Sequence, residues 1–257
     1  MTLGVLLLLT QERHQLILQR LNEKEIVKLQ ELVELTHSSE STIRRDLVVL
    51  EEQNYIKRVH GGASLVKGTN QEQGFVEKST KNLQEKKQIA EYAAGLIQDG
   101  ECIYLDAGTT TFQMIPFLAS KEIIIVTNGL THIDALLERG IKTYLLGGLI
   151  KSKTSALIGR GAIESMDKYR FDKSFMGVNG IHLQYGYTTP DPEEAIIKTK
   201  AIQLSREAYI LADSSKFGDV TFAKVNDLQE ATVITTEGDD ELLSPYQTKT
   251  TIKVVTA

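Results

Sequence analysis

The chain has 257 residues, 41% of them hydrophobic and 25% charged, with four prolines, no tryptophan and a formal net charge of −5. That length holds two domains and a sizeable core, and the composition excludes a disordered or fibrous chain. The one cysteine, Cys102, can close no internal disulfide, so a reducing cytosol fits; inside the apolar run CIYL (102–105) it reads as a small buried hydrophobe.

The opening run MTLGVLLLLTQ (1–11) suggests a leader, but it lacks a basic start and a small-residue cleavage pattern, and Glu12 and Arg13 follow at once. It is also too short to span a bilayer. It reads as an irregular tail, with the native start expected nearer Leu9; N-terminal sequencing decides the point. Residues 12–22 then show helical periodicity through Leu16, Ile17, Leu18 and Leu21. A second short helix is predicted over 28–35, with Leu29, Leu32 and Val33 inward. THSSE (36–40) is a polar turn, and 41–53 is a third helix in which Ile43, Leu47 and Leu50 share a face. Ser39 or Ser41 is its expected N-cap. The period then shortens to two in YIKRV (55–59), Gly61-Gly62 turns the chain, and ASLV (63–66) returns as a partner strand. Three helices and a hairpin predict a winged helix-turn-helix over 10–66, followed by a polar linker over 67–80.

From about residue 80, seven short apolar strands alternate with helical stretches: 101–106, 122–128, 142–148, 173–180, 208–213, 231–236 and 251–256. Helices are predicted at 84–98, 130–139, 156–168 and 192–206. Such alternation predicts an α/β domain over 81–257 with a mainly parallel sheet, whose ligands bind at the carboxyl ends of strands.

The first 60 residues hold 8 Lys/Arg against 9 Asp/Glu, so the case for a nucleic-acid partner rests on pattern rather than bulk charge. Opposite the apolar face of 41–53 stand Ser41, Thr42, Arg44, Arg45 and Val48. Arginine can donate two bonds to guanine or grip a phosphate, and hydroxyls at a helix start can meet phosphates. Lys57, Arg58 and His60 on the wing would reach the DNA backbone or an adjacent groove. An arginine pair alone reads equally as a solvated face, paired with Glu40 or Asp46. A short helix, a capped turn, an arginine-bearing helix and a basic hairpin together favour double-stranded DNA.

STIRRDL (41–47) followed by VHGGA (59–63) resembles the signature of the DeoR family of bacterial regulators, and the likeness covers residues 10–66. It implies that residues 27–46 are the two-helix DNA-binding motif, with Arg44 and Arg45 on the reading helix.

In the second half, LDAGTTT (105–111) follows a strand and opens a helix. Gly108 permits close backbone approach, while Thr109, Thr110 and Thr111 offer hydroxyls and N–H groups to an anion. The plain alternative is a tight turn with capping threonines. Other strand ends also carry small or polar residues: Asn128, Gly147, Gly148, Asn179, Gly180, Asp213 and Lys216. Glu194 and Lys198 follow the loop GYTTPDP (186–192) one helical turn apart, as site residues or as an exposed ion pair. This half resembles the DeoR sensing domains, which implies a Rossmann-like fold shared with ribose-5-phosphate isomerase and a phosphorylated-sugar effector. The resemblance places the phosphate at Gly108–Thr111, sugar contacts near Asp106, Asn128, Asn179 and Glu194, and implicates Lys216. YLDAGTTT (104–111), IVTNGLTHIDAL (125–136), YRFDKSFMGVNG (169–180) and GYTTPDPEEA (186–195) are most similar to the fructose operon repressors of Gram-positive bacteria, which implies fructose 1-phosphate.

The reading is a cytoplasmic repressor, a homodimer or homotetramer because paired modules match paired half-sites, with no membrane partner and no cofactor beyond the effector. One rival is a sugar-phosphate isomerase with an accessory DNA-binding domain. FMGVNGI (175–181) has no Asp or Glu where the isomerases of this fold carry catalytic carboxylates, which counts against chemistry there. The other rival is a DNA binder whose second domain only oligomerises. The five histidines are dispersed without partners at metal-ligand spacing, so no metal site is expected.

Overall fold

Helix α1 (Thr10–Glu23) opens the first unit and is followed by strand β1 (Ile26–Lys28), α2 (Leu29–Thr36) and α3 (Glu40–Glu52). Strands β2 (Ile56–Val59) and β3 (Gly62–Leu65) complete it. The computed structural model describes residues 9–24, 26–53, 55–59, 61–65, 73–118, 122–236 and 240–255. The chain divides into two compact units, at residues 1–68 and 69–257.

The apolar stripes predicted on the three helices meet in one core of Ile17, Leu21, Leu32, Ile43, Leu47 and Leu50, joined by Val27, Ile56 and Ala63 from the strands. Strand β1 escapes the sequence reading. Its three residues are too few for a visible alternation, yet they pair antiparallel with β3 and make the wing a three-stranded sheet, β1-β3-β2. Gly62 is required by that pairing, because a Cβ there would lie 2.1 Å from the Val27 carbonyl oxygen. Gly61 beside it has φ +79°, a conformation that side chains disfavour.

The second unit begins with α4 (Phe75–Thr80) and α5 (Leu83–Gly95), then β4 (Cys102–Leu105) and the single turn α6 (Thr109–Phe112). Next come β5 (Ile124–Thr127), α7 (Ile133–Leu137), β6 (Lys142–Leu145) and the hairpin β7 (Leu149–Lys151) and β8 (Ala156–Ile158). They are followed by α8 (Arg160–Met166), β9 (Phe171–Gly177), β10 (Gly180–His182), β11 (Gly186–Thr189) and α9 (Pro192–Gln203). The rest is β12 (Ser205–Leu211), β13 (Ala223–Asn226), β14 (Thr232–Thr236), α10 (Asp240–Gln247) and β15 (Ile252–Val255).

All seven predicted strands form one parallel sheet in the order β15-β14-β12-β9-β4-β5-β6. Residues alternate between its two faces: Ile103 and Leu105 of β4 enter the core beneath α5, while Tyr104 enters the core beneath α9. The inner strands β4, β5 and β14 are covered on both faces and read as largely apolar runs, whereas the edge strands β6 and β15 are mostly exposed or half-buried. A smaller antiparallel sheet, β10-β11-β13, lies outside the predicted set.

Most elements shift by a few residues at their ends, and two segments change type. The helix expected over 156–168 starts as β8, because Ala156–Ile158 pair with β7, and only Arg160–Met166 are helical. The stretch expected as linker over 67–80 is helical at Phe75–Thr80, within the second unit. Among the described residues, no helix is long and apolar enough to cross a membrane, and no three His, Cys, Asp or Glu residues group as metal ligands.

Candidate functional site

The DNA-facing candidates are fixed by the capping and burial of α3. Ser39 is the N-cap: its Oγ accepts from the Thr42 N–H at 3.2 Å and lies 2.9 Å from Ser41 Oγ and 2.8 Å from Thr42 Oγ1. Ile43, Leu47 and Leu50 turn inward, which leaves Arg44 and Arg45 exposed. Arg44 reaches back one turn to Glu40 at 2.6 Å, an exposed pair of small energetic value. Arg45 is in no ion pair among the described residues. On the wing, Arg58 donates from Nε to Glu51 Oε2 at 2.6 Å and from its backbone N–H to Glu51 Oε1 at 2.9 Å. Burial would raise the Glu51 carboxyl, but the two bonds from Arg58 and the charges of Arg58 and Lys57 hold it below the usual range. Lys57 is half-buried, and His60 lies outside the described residues.

Asp46 is corrected. The pairing considered for it with the exposed arginines does not form, because its side chain is buried. It accepts from Arg13 Nε at 2.6 Å and Arg13 Nη2 at 2.9 Å, and His14 Nε2 lies 3.2 Å away. The last acid of STIRRDL therefore ties α3 to α1. Its position between Arg45 and Leu47 at the edge of the apolar face was the available sequence signal.

In the second unit, the carboxyl ends of β4, β5, β9 and β12 bring together much of the expected effector set. Asp106 follows β4 and is buried. Its Oδ2 accepts from Lys198 Nζ of α9 at 2.5 Å and from the Gly177 N–H at the end of β9 at 3.2 Å. A carboxylate thus stands at the end of β9 although 175–181 contains none, and it is committed to an ammonium and an amide. Thr109 and Thr110 are buried at the start of α6, and their hydroxyls have no hydrogen-bond partner among the described residues. Gly108 precedes them and is partly exposed. Asn179 lies beside β11, accepting from Thr189 Oγ1 at 3.2 Å.

Glu194 and Lys198 are both buried, so the exposed ion pair considered for them does not exist. Lys198 goes to Asp106. Glu194 Oε1 accepts from Thr154 Oγ1 at 2.8 Å and from Lys151 Nζ at 3.1 Å, and Lys151 also lies 2.8 Å from Asp191. Burial would raise the Glu194 carboxyl, and Lys198, Lys151 and Thr154 together hold it below the usual range. Lys151 and Thr154 are missed by sequence reasoning, since the hairpin KSKTS carries no periodic pattern. Asp191 is more legible: Asp-Pro-Glu-Glu is a helix-start signature, and Asp191 caps α9 through the N–H groups of Glu193 and Glu194.

Several of the expected ligand residues also hold the loops in place. Thr111 Oγ1 donates inward, 2.6 Å from the Asp106 carbonyl and 2.8 Å from that of Gly108. Asn128 Oδ1 accepts from Tyr104 OH at 2.9 Å and from the Ala107 N–H at 3.0 Å, and its Nδ2 donates to the Leu157 carbonyl at 3.3 Å. Asp213 caps the turn at 214–216 and accepts from Asn82 Nδ2 at 3.0 Å. These bonds shape the loops. Gly148 and Gly180 serve the backbone: a Cβ would lie 2.5 Å from the Ile158 oxygen and 2.3 Å from the Asp219 oxygen, respectively. Gly147 is exposed beside α8, and Lys216 is part-exposed, 3.9 Å from Asp213. His132, unassigned in the sequence, lies fully buried beneath α6, where burial pushes its imidazole down to about 4.

Residues 13–69 match the model of the DeoR-like helix-turn-helix domain, and residues 81–238 match that of the DeoR C terminal sensor domain. The chain belongs to the DeoR family. As a DeoR-family regulator it is 53% identical, over 96% of its length and 99% of the relative's, to the uncharacterized HTH-type transcriptional regulator FruR of Bacillus subtilis. It is 33% identical, over 87% of its length and 90% of the relative's, to the lactose phosphotransferase system repressor of Staphylococcus epidermidis. Among solved structures, ribose 5-phosphate isomerase A of Methanocaldococcus jannaschii aligns with a TM-score of 0.39 at 18% identity, covering 53% of this DeoR-family chain and 55% of that one.

Proposed function

We propose that this chain represses a sugar-catabolic operon, in particular a fructose phosphotransferase operon, by binding operator DNA through α3 and the wing. Fructose 1-phosphate, bound at the carboxyl ends of the parallel strands, relieves the repression. The observation that carries the effector reading is the convergence of Asp106, Lys198 and Glu194 from distant parts of the chain beside a turn whose Thr109 and Thr110 hydroxyls have no partner among the described residues. A phosphate suits the turn, whose first N–H groups point out of the helix start. Carboxylates with a lysine suit sugar hydroxyls, with Asn179 and Lys216 at the rim.

The DNA reading is supported by two exposed arginines on a capped helix locked to α1 by Asp46. Family membership and the relatives' names, which include a repressor of a phosphotransferase system, point the same way. A homodimer or homotetramer would place paired modules on paired half-sites. The rival isomerase reading has against it an Asp106 carboxylate already held by Lys198 and the Gly177 amide, leaving no free base at the end of β9.

Fluorescence anisotropy on the promoter DNA of the chain's own operon, at fixed salt, tests the reading. Release by fructose 1-phosphate, with fructose 6-phosphate and tagatose 6-phosphate inert, is the expected result. Tight DNA binding indifferent to all three overturns the effector, and turnover of any of them revives the enzyme.

A further inference from the structure

We propose that α4 reports occupancy of the effector site to the DNA-binding unit, with Phe75 as the side chain that senses it; this rests on the effector reading above. The helix contributes no buried residue, and Val76 is 80% exposed. Six residues are far fewer than a helix needs to persist alone in water, so its helical form depends on what it docks against.

Two of its contacts lead to the candidate site, and a third holds it to α5. The Phe75 ring meets that of Phe112 edge-on, 6.0 Å between centroids at 89°. Phe112 ends α6, the turn that carries Thr109 and Thr110. It also packs edge-on against His132 at 5.4 Å, whose Nε2 lies 3.4 Å from Thr111 Oγ1. The Phe75 N–H donates to the Lys153 carbonyl at 3.1 Å, inside the hairpin whose Lys151 and Thr154 hold Glu194. Lys86, buried near Asp213 and Lys216, donates to the Lys78 carbonyl within α4 itself. The helix is thereby pinned to α6, to the hairpin that holds Glu194, and to α5.

A ligand that draws the 108–111 turn or the 151–154 hairpin toward itself moves the surfaces on which Phe75 rests. Helical, the six residues span about 9 Å; extended, they reach about 20 Å. Docking and release of α4 therefore change the length of chain available between the sensing domain and the wing. The ligand acts on DNA binding to the extent that it binds the docked and released forms with different affinity.

The test uses the full chain with fructose 1-phosphate as probe. In the wild-type protein, amide exchange over 75–80 changes on saturation with the sugar. F75A binds the sugar within about threefold of wild type by calorimetry, while the sugar-induced loss of DNA affinity shrinks at least tenfold. V76A, altered on the exposed side of the same helix, keeps the full response. Unchanged exchange in wild type, an undiminished response in F75A, or an equal loss in V76A overturns the relay, and so does F75A losing sugar binding itself. A wild-type protein that grips DNA and ignores the sugar sinks the effector reading instead, which separates the two failures.

Discussion

Lys198 Nζ stands 2.5 Å from Asp106 Oδ2, with both side chains shielded from water and 92 residues apart in the chain. Burying two charges is costly, and such a pair repays the cost only while it stays complete. Removing one partner leaves an uncompensated charge. Lys198→Met should destabilise the second unit by about 3–5 kcal/mol and abolish the response to sugar phosphate. Asp106→Asn with Lys198→Met should recover much of the stability without the response. Denaturant unfolding with sugar titration distinguishes the two effects; a double variant that still responds would place the sugar elsewhere.

Asp46 and Arg45 are neighbours with opposite duties. Asp46→Ala removes the carboxylate that balances the buried Arg13 charge and should cost the DNA-binding unit about 3–5 kcal/mol, lowering its thermal midpoint while calorimetric sugar binding survives. Arg45→Ala should leave stability within about 0.5 kcal/mol and weaken specific DNA binding by about 1–3 kcal/mol if it reads a base. An equal loss on unrelated DNA would assign Arg45 to the phosphates.

Gly62→Ala forces a methyl group onto the Val27 carbonyl and must part β3 from β1. The expected outcome is loss of operator binding with the effector site intact, read by anisotropy and calorimetry on the same preparation. Full DNA affinity in this variant would show that the wing is dispensable.

His132 gives a pH dependence. Its folded value is about 4 against 6.5 for the free side chain, so between those limits the unfolded chain binds the extra proton. Stability should be unaffected above pH 6.5 and fall by about 3 kcal/mol as pH drops to about 4. His132→Phe should flatten the unfolding free energy over this window if the ring fits. A wild-type profile already flat there would contradict a neutral buried imidazole. Glu194 acts further down: its lowered value adds stability that is complete above the ordinary carboxylate range and is lost as pH falls through the folded value.

The sequence reveals the inner strands of the main sheet, such as β4, β5 and β14, because burial makes each a largely apolar run, and the edge strands β6 and β15 carry a weaker version of the same pattern. The winged module is legible for a related reason: three stripes of period 3.6 give way to one of period two. The hairpin β7–β8 and the small sheet β10-β11-β13 leave no such trace, because strands of three or four residues are too short to show a period. At the site, residue types at strand ends locate the region but not the direction each side chain faces. Asn128 and Asp213 look like sugar ligands in the sequence, yet they spend their bonds on the Ala107 amide and on Asn82 and Ser215. Lys151 is invisible because nothing local ties it to Glu194, 43 residues away.

The Arg44–Glu40 pair has a consequence for ionic strength. An arginine that neutralises a DNA phosphate sets free a condensed cation, and the steepness of affinity against salt counts such events. In the proposed interface Arg44 must first let go of Glu40, which then recruits a cation of its own. The exchange is close to neutral in ions, whereas Arg45 has no such partner among the described residues to replace. The complex should therefore weaken with salt less steeply than its arginines imply, holding its operator more evenly as the ion content of its surroundings varies.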